Sequence, residues 1–263
     1  MPQTSLPLTP HVAKPGVRSW NKQSCALATF DTSSPAPACA MNQNFAQPQD
    51  KHNETTGRGE MTAPLLPPKT HIGVSLGWNC HSAMWAVERG LRDRRVHGYK
   101  TCPFDECISN IDGVIACFRN DFKDFTNPEH LTVVNAPFST GGIRQGERLL
   151  MNTKYKFIFN HESPGHADLY IKQGWAGGSE HFIDNDFSEF RRRYDARIGN
   201  LRAYLADAAN SVTFVVTQLS SETEPLRMAI QSAYPHLAFD ITSLEPRDTP
   251  EVVRAHHELM GVV

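Results

Sequence analysis

The chain has 263 residues, with 26 Lys and Arg against 28 Asp and Glu and a formal charge of -2. That balance lacks the basic excess that marks partners of nucleic acid or anionic membrane, and no apolar run approaches the roughly 18 residues a membrane helix needs. Six cysteines without a Cys-x-x-Cys pair argue against both a disulfide scaffold and a zinc site.

The chain is uneven. Its first sixty residues offer only Leu6, Leu8, Val12, Val17, Leu27, Phe30 and Phe45 for burial, interrupted by seven prolines. That is well below the roughly 20% of large aliphatic and Phe residues at which burial offsets ordering entropy. Residues 1–68 are therefore expected to be a disordered lead, and 69–263 a single domain. No apolar h-region precedes Ala38 and Ala40, which argues against a secretory signal. Lys14, Arg18 and Lys22, with no acid in the first thirty residues, leave an organelle transit peptide open beside the expected cytoplasmic location. Met61 is an alternative start.

From His71 the pattern changes. Residues 71–77 form a short apolar run ending in Gly77, which predicts a buried strand. A helix follows, with Met84, Val87 and Leu91 on one face. A second helix is read through Ile111, Val114, Ile115, Phe118, Phe122 and Phe125, with Ser109 and Asp112 as a cap-like start. Residues 155–160 read as the next strand, and 161–184, with its glycines, as a long loop. Phe187, Phe190, Tyr194, Ile198, Leu201 and Leu205 form the stripe of a helix over 187–208, started by Asp186 and Glu189. Residues 212–217 are a β-branched strand, 222–233 a helix and 237–242 a strand. Thr249-Pro250 opens a last helix. This alternation predicts an α/β fold with a mainly parallel sheet flanked by helices. A further strand is expected between Arg95 and Thr101 or near 131–134.

Ligands gather at the carboxyl ends of parallel strands. Trp78, Asn79 and Cys80 follow the first strand, His161 and Glu162 the second, Gln218 the third and Ser243 the fourth. Cys80 begins a helix, where the dipole favours a thiolate, and His161 has the chemistry to take the thiol proton. Gly77, Asn79 and Gln218 are candidates to hold a substrate oxyanion. The plainer readings are that Cys80 is a small buried side chain and His161 a structural one. Cys107 and Cys117 read as packing, and Cys102, in a loop, is the rival thiol. His81 would point around the helix, and His256 and His257 read as surface or packing. His161 and His166, in a glycine-rich loop, are a poor metal pair, so neither metal nor cofactor is expected. Arg191-Arg192-Arg193 reads as a solvated face that is also able to hold an anion.

Ser75-Leu76-Gly77-Trp78-Asn79-Cys80, Cys102-Pro103-Phe104-Asp105, Asn120-Asp121-Phe122, Phe159-Asn160-His161-Glu162, Phe190-Arg191-Arg192-Arg193-Tyr194 and Val212-Thr213-Phe214-Val215-Val216 occur in that order. Over about residues 70–220 the chain thus resembles the papain-like cysteine peptidase family called domain of unknown function 1796. The resemblance implies Cys80 as nucleophile, His161 as base and Asp105 as an orienting acid. The chain departs from that pattern at Glu106, where an aromatic is common, and at Thr217-Gln218, where an Arg is. The α/β pattern also differs from the α+β fold of papain. The expected function is a cysteine-dependent hydrolase or acyltransferase acting on a peptide or small acyl substrate. The alternatives are a non-catalytic α/β module binding a small molecule or sugar in the same cleft, and an analogue of the SGNH esterases.

Overall fold

The computed structural model describes residues 70–139, 142–166, 175–217 and 223–262. The lead expected over 1–68, Met61 and Gln218 lie outside the described residues.

Strand β1 (Thr70–Ser75) becomes buried toward its carboxyl end and leads into α1 (His81–Glu88). It lies parallel to β5 (Asn210–Thr217), which lies parallel to β6 (Ala238–Leu244), giving the order β1-β5-β6. Val74 stands opposite Phe214, and Phe214 opposite Ile241. The central strand is buried from Val212 to Thr217. That explains its unbroken apolar and β-branched sequence, since a central parallel strand is covered on both faces.

The helices bury the stripes their spacing indicates. In α3 (Asp184–Ala206), Phe190, Tyr194, Ile198, Leu201 and Leu205 are buried, each such side chain contributing about 1.5–3 kcal/mol relative to exposure. Helix α2 (Ile111–Arg119) packs on α4 (Glu224–Ala233). Thr249 and Pro250 open α5 (Pro250–Met260), which ends at Gly261 in the left-handed region.

A second sheet is antiparallel, in the order β2 (Leu131–Asn135), β3 (Arg148–Asn152), β4 (Phe157–Ile158). Leu149 and Met151 face a small core shared with Trp78, Val253 and Met260, while Leu150 faces the main core with Phe157. Thus α5 covers one face of this sheet.

The α/β class and the helix-flanked parallel sheet match the sequence reading, with differences in detail. The parallel sheet has three strands, because the strand at 157–158 pairs antiparallel with β3. The extra strand lies at Leu131–Asn135, whereas Arg95–His97 is a 3-10 turn. Helix α2 stops at Arg119. Asp121 and Phe122 then take left-handed backbone (φ 52° and 60°) and fold Phe122 and Phe125 back into the core. Its cap is Asn110, whose Oδ1 accepts the Gly113 N–H at 2.7 Å, while Ser109 turns elsewhere. The start of α3 is kinked, with Asn185, Asp186 and Phe187 all at positive φ.

Candidate active site

Beyond β1 the chain keeps pairing. Ser109 Oγ donates to Leu76 O at 3.0 Å, and the Asn79 N–H donates to Cys107 O at 3.0 Å. On its other side this segment meets β4, where Ile108 and Ile158 exchange both backbone hydrogen bonds (2.8 and 2.9 Å). Segments 76–80, 106–109 and 158–161 therefore run side by side as a seam between the two sheets. At ~4.8 Å per strand spacing, the outer two segments are ~10 Å apart, with 106–109 between them. The register brings Cys80, Glu106 and His161 to the same end of this ladder. Cys80 and His161 thus lie on the two outer segments of a seam between two sheets, rather than along the edge of one.

Gly77 is required at the start of the turn. Its φ is 91°, and a Cβ there would run into Ser109 Oγ. Asn79 also has positive φ, 66°, a conformation that Asn tolerates. Its Oδ1 accepts the His81 N–H at 2.7 Å, capping the helix that Cys80 opens. Asp248 braces the turn from outside: its Oδ2 accepts from Trp78 Nε1 (3.0 Å) and Asn79 Nδ2 (3.2 Å). The Trp78 ring meets His256 and His257 edge-on, each at 5.4 Å between centroids, so both histidines are packing. Cys80 itself is half-buried.

His161, also half-buried, lies in the 3-10 turn Asn160–Glu162. Its neighbour Glu162 is fully buried in an ionic cluster. Tyr194 donates its hydroxyl to Glu162 Oε2, and Arg193 Nε and Arg197 Nη1 lie 3.4 and 3.5 Å from Oε1. Arg197 also pairs with Glu106. Burial pushes the Glu106 carboxyl up. Arg197, aided by His161 and Arg193, outweighs this and holds it down to about 2. Glu106 is thus an ionised carboxylate within electrostatic range of His161. A second buried pair, His166 on Glu147, stands close behind.

Asp105 is one residue away but differently employed. Its Oδ1 lies 2.7 Å from Arg92 Nη1 and its Oδ2 accepts the Cys102 N–H at 2.8 Å. The Gly77 N–H donates to Ser75 Oγ at 3.2 Å. The backbone N–H groups of Gly77 and Asn79 therefore both have partners within the chain. Cys102, Cys107 and Cys117 are buried, and burial pushes each thiol well above its ordinary value. Among the described residues no group of His, Cys, Asp and Glu could hold a metal ion, and no helix is long and apolar enough to cross a membrane.

His81 does turn around the helix. It is buried, its Nδ1 has no hydrogen-bond partner, and with Trp85, Glu88, Arg89, Leu244, Glu245 and Arg247 it lines a cleft of about 580 Å³. This cleft lies at the carboxyl end of β6.

The sequence reading did not find the work of Glu106, Glu162, Arg197 or Asp248. One signal existed: Arg197 falls within the stripe of Phe190, Tyr194, Ile198 and Leu201, and a cation on an apolar stripe needs a buried partner.

The family model described as "Putative papain-like cysteine peptidase", domain of unknown function 1796, matches residues 72–239. No curated protein and no solved structure matches the chain.

Proposed function

The chain belongs to this family of papain-like cysteine peptidase description, and from that premise we propose that it is a cysteine-dependent hydrolase or acyltransferase. Its substrate is a peptide or a small acyl compound. The observation that supports the reading is the ladder of Asn79 on Cys107 and Ile108 on Ile158, whose segments run on into Cys80, Glu106 and His161.

The Cys80 thiol gives its proton to the His161 ring, and the sulfur attacks the substrate carbonyl carbon. The carbonyl π electrons move to oxygen. The positive end of α1 and the second hydrogen of Asn79 Nδ2, whose first is held by Asp248, meet that oxyanion. Gly77 shapes the turn, and Gln218 is assigned as a further donor. Collapse breaks the bond to the leaving amine or alcohol, which takes the proton from His161 and leaves a thioester on Cys80. Water then attacks the thioester, passing a proton to His161. The carboxylic acid departs, and the proton returns to the sulfur. An amine or alcohol in place of water makes the second half an acyl transfer.

Glu106 takes the third position, stabilising the imidazolium by its charge. The role that family resemblance gives Asp105 becomes indirect: with Arg92 it anchors the segment that carries Glu106.

Competitive thiol labelling of the whole protein with iodoacetamide near pH 6 tests this. Cys80 is expected to alkylate much faster than Cys102, Cys107 or Cys117, and His161→Ala to slow it several-fold. Equal rates in the folded protein would sink the catalytic reading. They would favour a non-catalytic binding module using the cleft beside His81, where a parallel sheet places its ligands.

A further inference from the structure

The cleft beside His81 has two walls, and each is held in place. One is α1, where His81, Trp85, Glu88 and Arg89 share a face at helical spacing. The other is the segment 244–247 at the end of β6. That segment runs directly into Asp248, whose Oδ2 is pinned by Trp78 Nε1 at 3.0 Å and Asn79 Nδ2 at 3.2 Å. Register shows how the walls meet. Ser75 Oγ touches Ser82 Oγ of α1 at 2.6 Å, and Ser75 pairs with Val215. Thr217, two residues on, faces the same side of the sheet, and so does its partner Leu244. The cleft of about 580 Å³ is thus preformed, and its size is that of an ordinary small-molecule site.

His81 is 9% exposed, and its Nδ1 is buried without a hydrogen-bond partner. Such an atom opposes folding, and a polar ligand can satisfy it. Rotation about Cβ–Cγ, a torsion with broad wells, exchanges the two edges of that ring.

The charges around the cleft define the ligand. Glu88 and Glu245 face Arg89 and Arg247, so the two signs balance. Burial, aided by Arg247, holds His81 below 6.5 against Asp248 and Glu88, so the imidazole adds no charge at neutral pH. A ligand of one sign therefore meets attraction and repulsion alike. Arg247 Nη2 and Glu88 Oε2 stand 3.7 Å apart, with side chains 49% and 55% exposed. That is longer than the roughly 2.7–2.9 Å of a direct charge-assisted hydrogen bond. An exposed pair of this kind contributes little to folding, so either partner re-pairs easily. An α-amino acid carries the complementary ammonium and carboxylate on one carbon, side by side as Glu88 and Arg247 are. Arg89 lies 5.5 Å from the Trp85 ring centroid, and that ring with Leu244 supplies apolar surface.

We propose that this cleft binds a small zwitterion, a free α-amino acid or a dipeptide. Its carboxylate pairs with Arg247 and its ammonium with Glu88, leaving a further ammonium hydrogen for His81 Nδ1. Its side chain rests on Trp85 and Leu244. The site goes beyond the thiol chemistry and does not depend on the reading of Cys80.

Equilibrium dialysis of the full chain against labelled leucine measures binding directly, so the result stands whichever way the labelling of Cys80 falls. Saturable binding is expected. As competitors, 3-methylbutylamine and 4-methylpentanoate, which are leucine without its carboxylate and without its ammonium, should each be about tenfold weaker or worse. E88Q/R247Q should keep its fold by circular dichroism and lose affinity by a similar factor. E189Q/R192Q, which removes an exposed ion pair from α3, should bind leucine as the wild type does. No saturable binding of leucine or of leucylglycine overturns the site, as does undiminished binding in folded E88Q/R247Q. Half-ligands that compete as well as leucine, or glucose that competes better, overturn the zwitterionic assignment.

Discussion

The Tyr194 hydroxyl donates to Glu162 Oε2 at 3.1 Å, and both side chains are fully buried. One hydrogen bond therefore ties the longest described helix to the turn that carries His161. Hydrogen bonds to a charged group contribute about 1.5–3 kcal/mol. Tyr194→Phe is expected to lower unfolding free energy by about that much, read from urea titration. A change below about 0.5 kcal/mol would mean the turn is held by Arg193 and Arg197 alone.

Arg92 and Asp105 make a different kind of pair, with side chains 7% and 4% exposed. Burial disfavours charge on Arg92, and Asp105 together with Tyr99 and Cys102 more than offsets this, whereas at Asp105 burial outweighs Arg92 and pushes the carboxyl up. Removing one partner leaves a buried charge unpaired, at a cost of about 3–5 kcal/mol. Asp105→Ala should show that loss in denaturant titration, and R92M/D105L should recover most of it. A double variant no more stable than D105A would argue that the Cys102 N–H bond, rather than the ion pair, is what matters.

Two glycines separate propensity from packing. Gly199 lies within α3 with nothing within 4 Å of an added Cβ, so Gly199→Ala should stabilise by about 0.5–1 kcal/mol. Gly113 lies within α2, where a Cβ would meet Tyr155 O and sit 2.6 Å from Phe157 Cε1. Overpacking costs about 1–3 kcal/mol, which exceeds the gain in helix propensity, so Gly113→Ala should destabilise. Thermal midpoints that move in the same direction for both would contradict this account of α2.

Acid should weaken the fold in two stages. His81, His256 and His257 are held below the ordinary value of 6.5, chiefly by burial. Their contribution is complete above pH 6.5 and is lost as pH falls below it toward their folded values. Glu106 is depressed from 4.5 to about 2, so its contribution is lost only as pH falls through that lower window. Thermal midpoints measured from pH 8 to pH 3 should decline below 6.5 and again below 4.5. In Glu106→Gln the second decline should shrink. A midpoint flat between pH 7 and 5 would overturn the first stage.

The elements most legible in sequence are those whose own residues carry the whole signal. Val212 to Val216 reads as a strand because it is central and covered on both faces, and α3 because its stripe is long. Strand β3 was missed: Leu149, Leu150 and Met151 are buried on alternating sides, so no alternation appears. The end of α2 was misread because Phe122 and Phe125 keep helical spacing while a left-handed turn returns them to the core. Cys80 was legible as a candidate from Gly77 and a helix start. The ladder was not, because pairing Asn79 with Cys107 and Ile108 with Ile158 joins loops whose sequences say nothing of each other.

The seam between the sheets also orders events in a growing chain. Cys80 and α1 emerge early, but the groups that complete their surroundings come late: Arg197 from α3 and Asp248 just before α5. Under the proposed chemistry, a nascent protein carries its thiol through synthesis without the charges and braces that equip it to react. Reactivity then arrives with the finished fold, sparing both the chain itself and its unfolded neighbours.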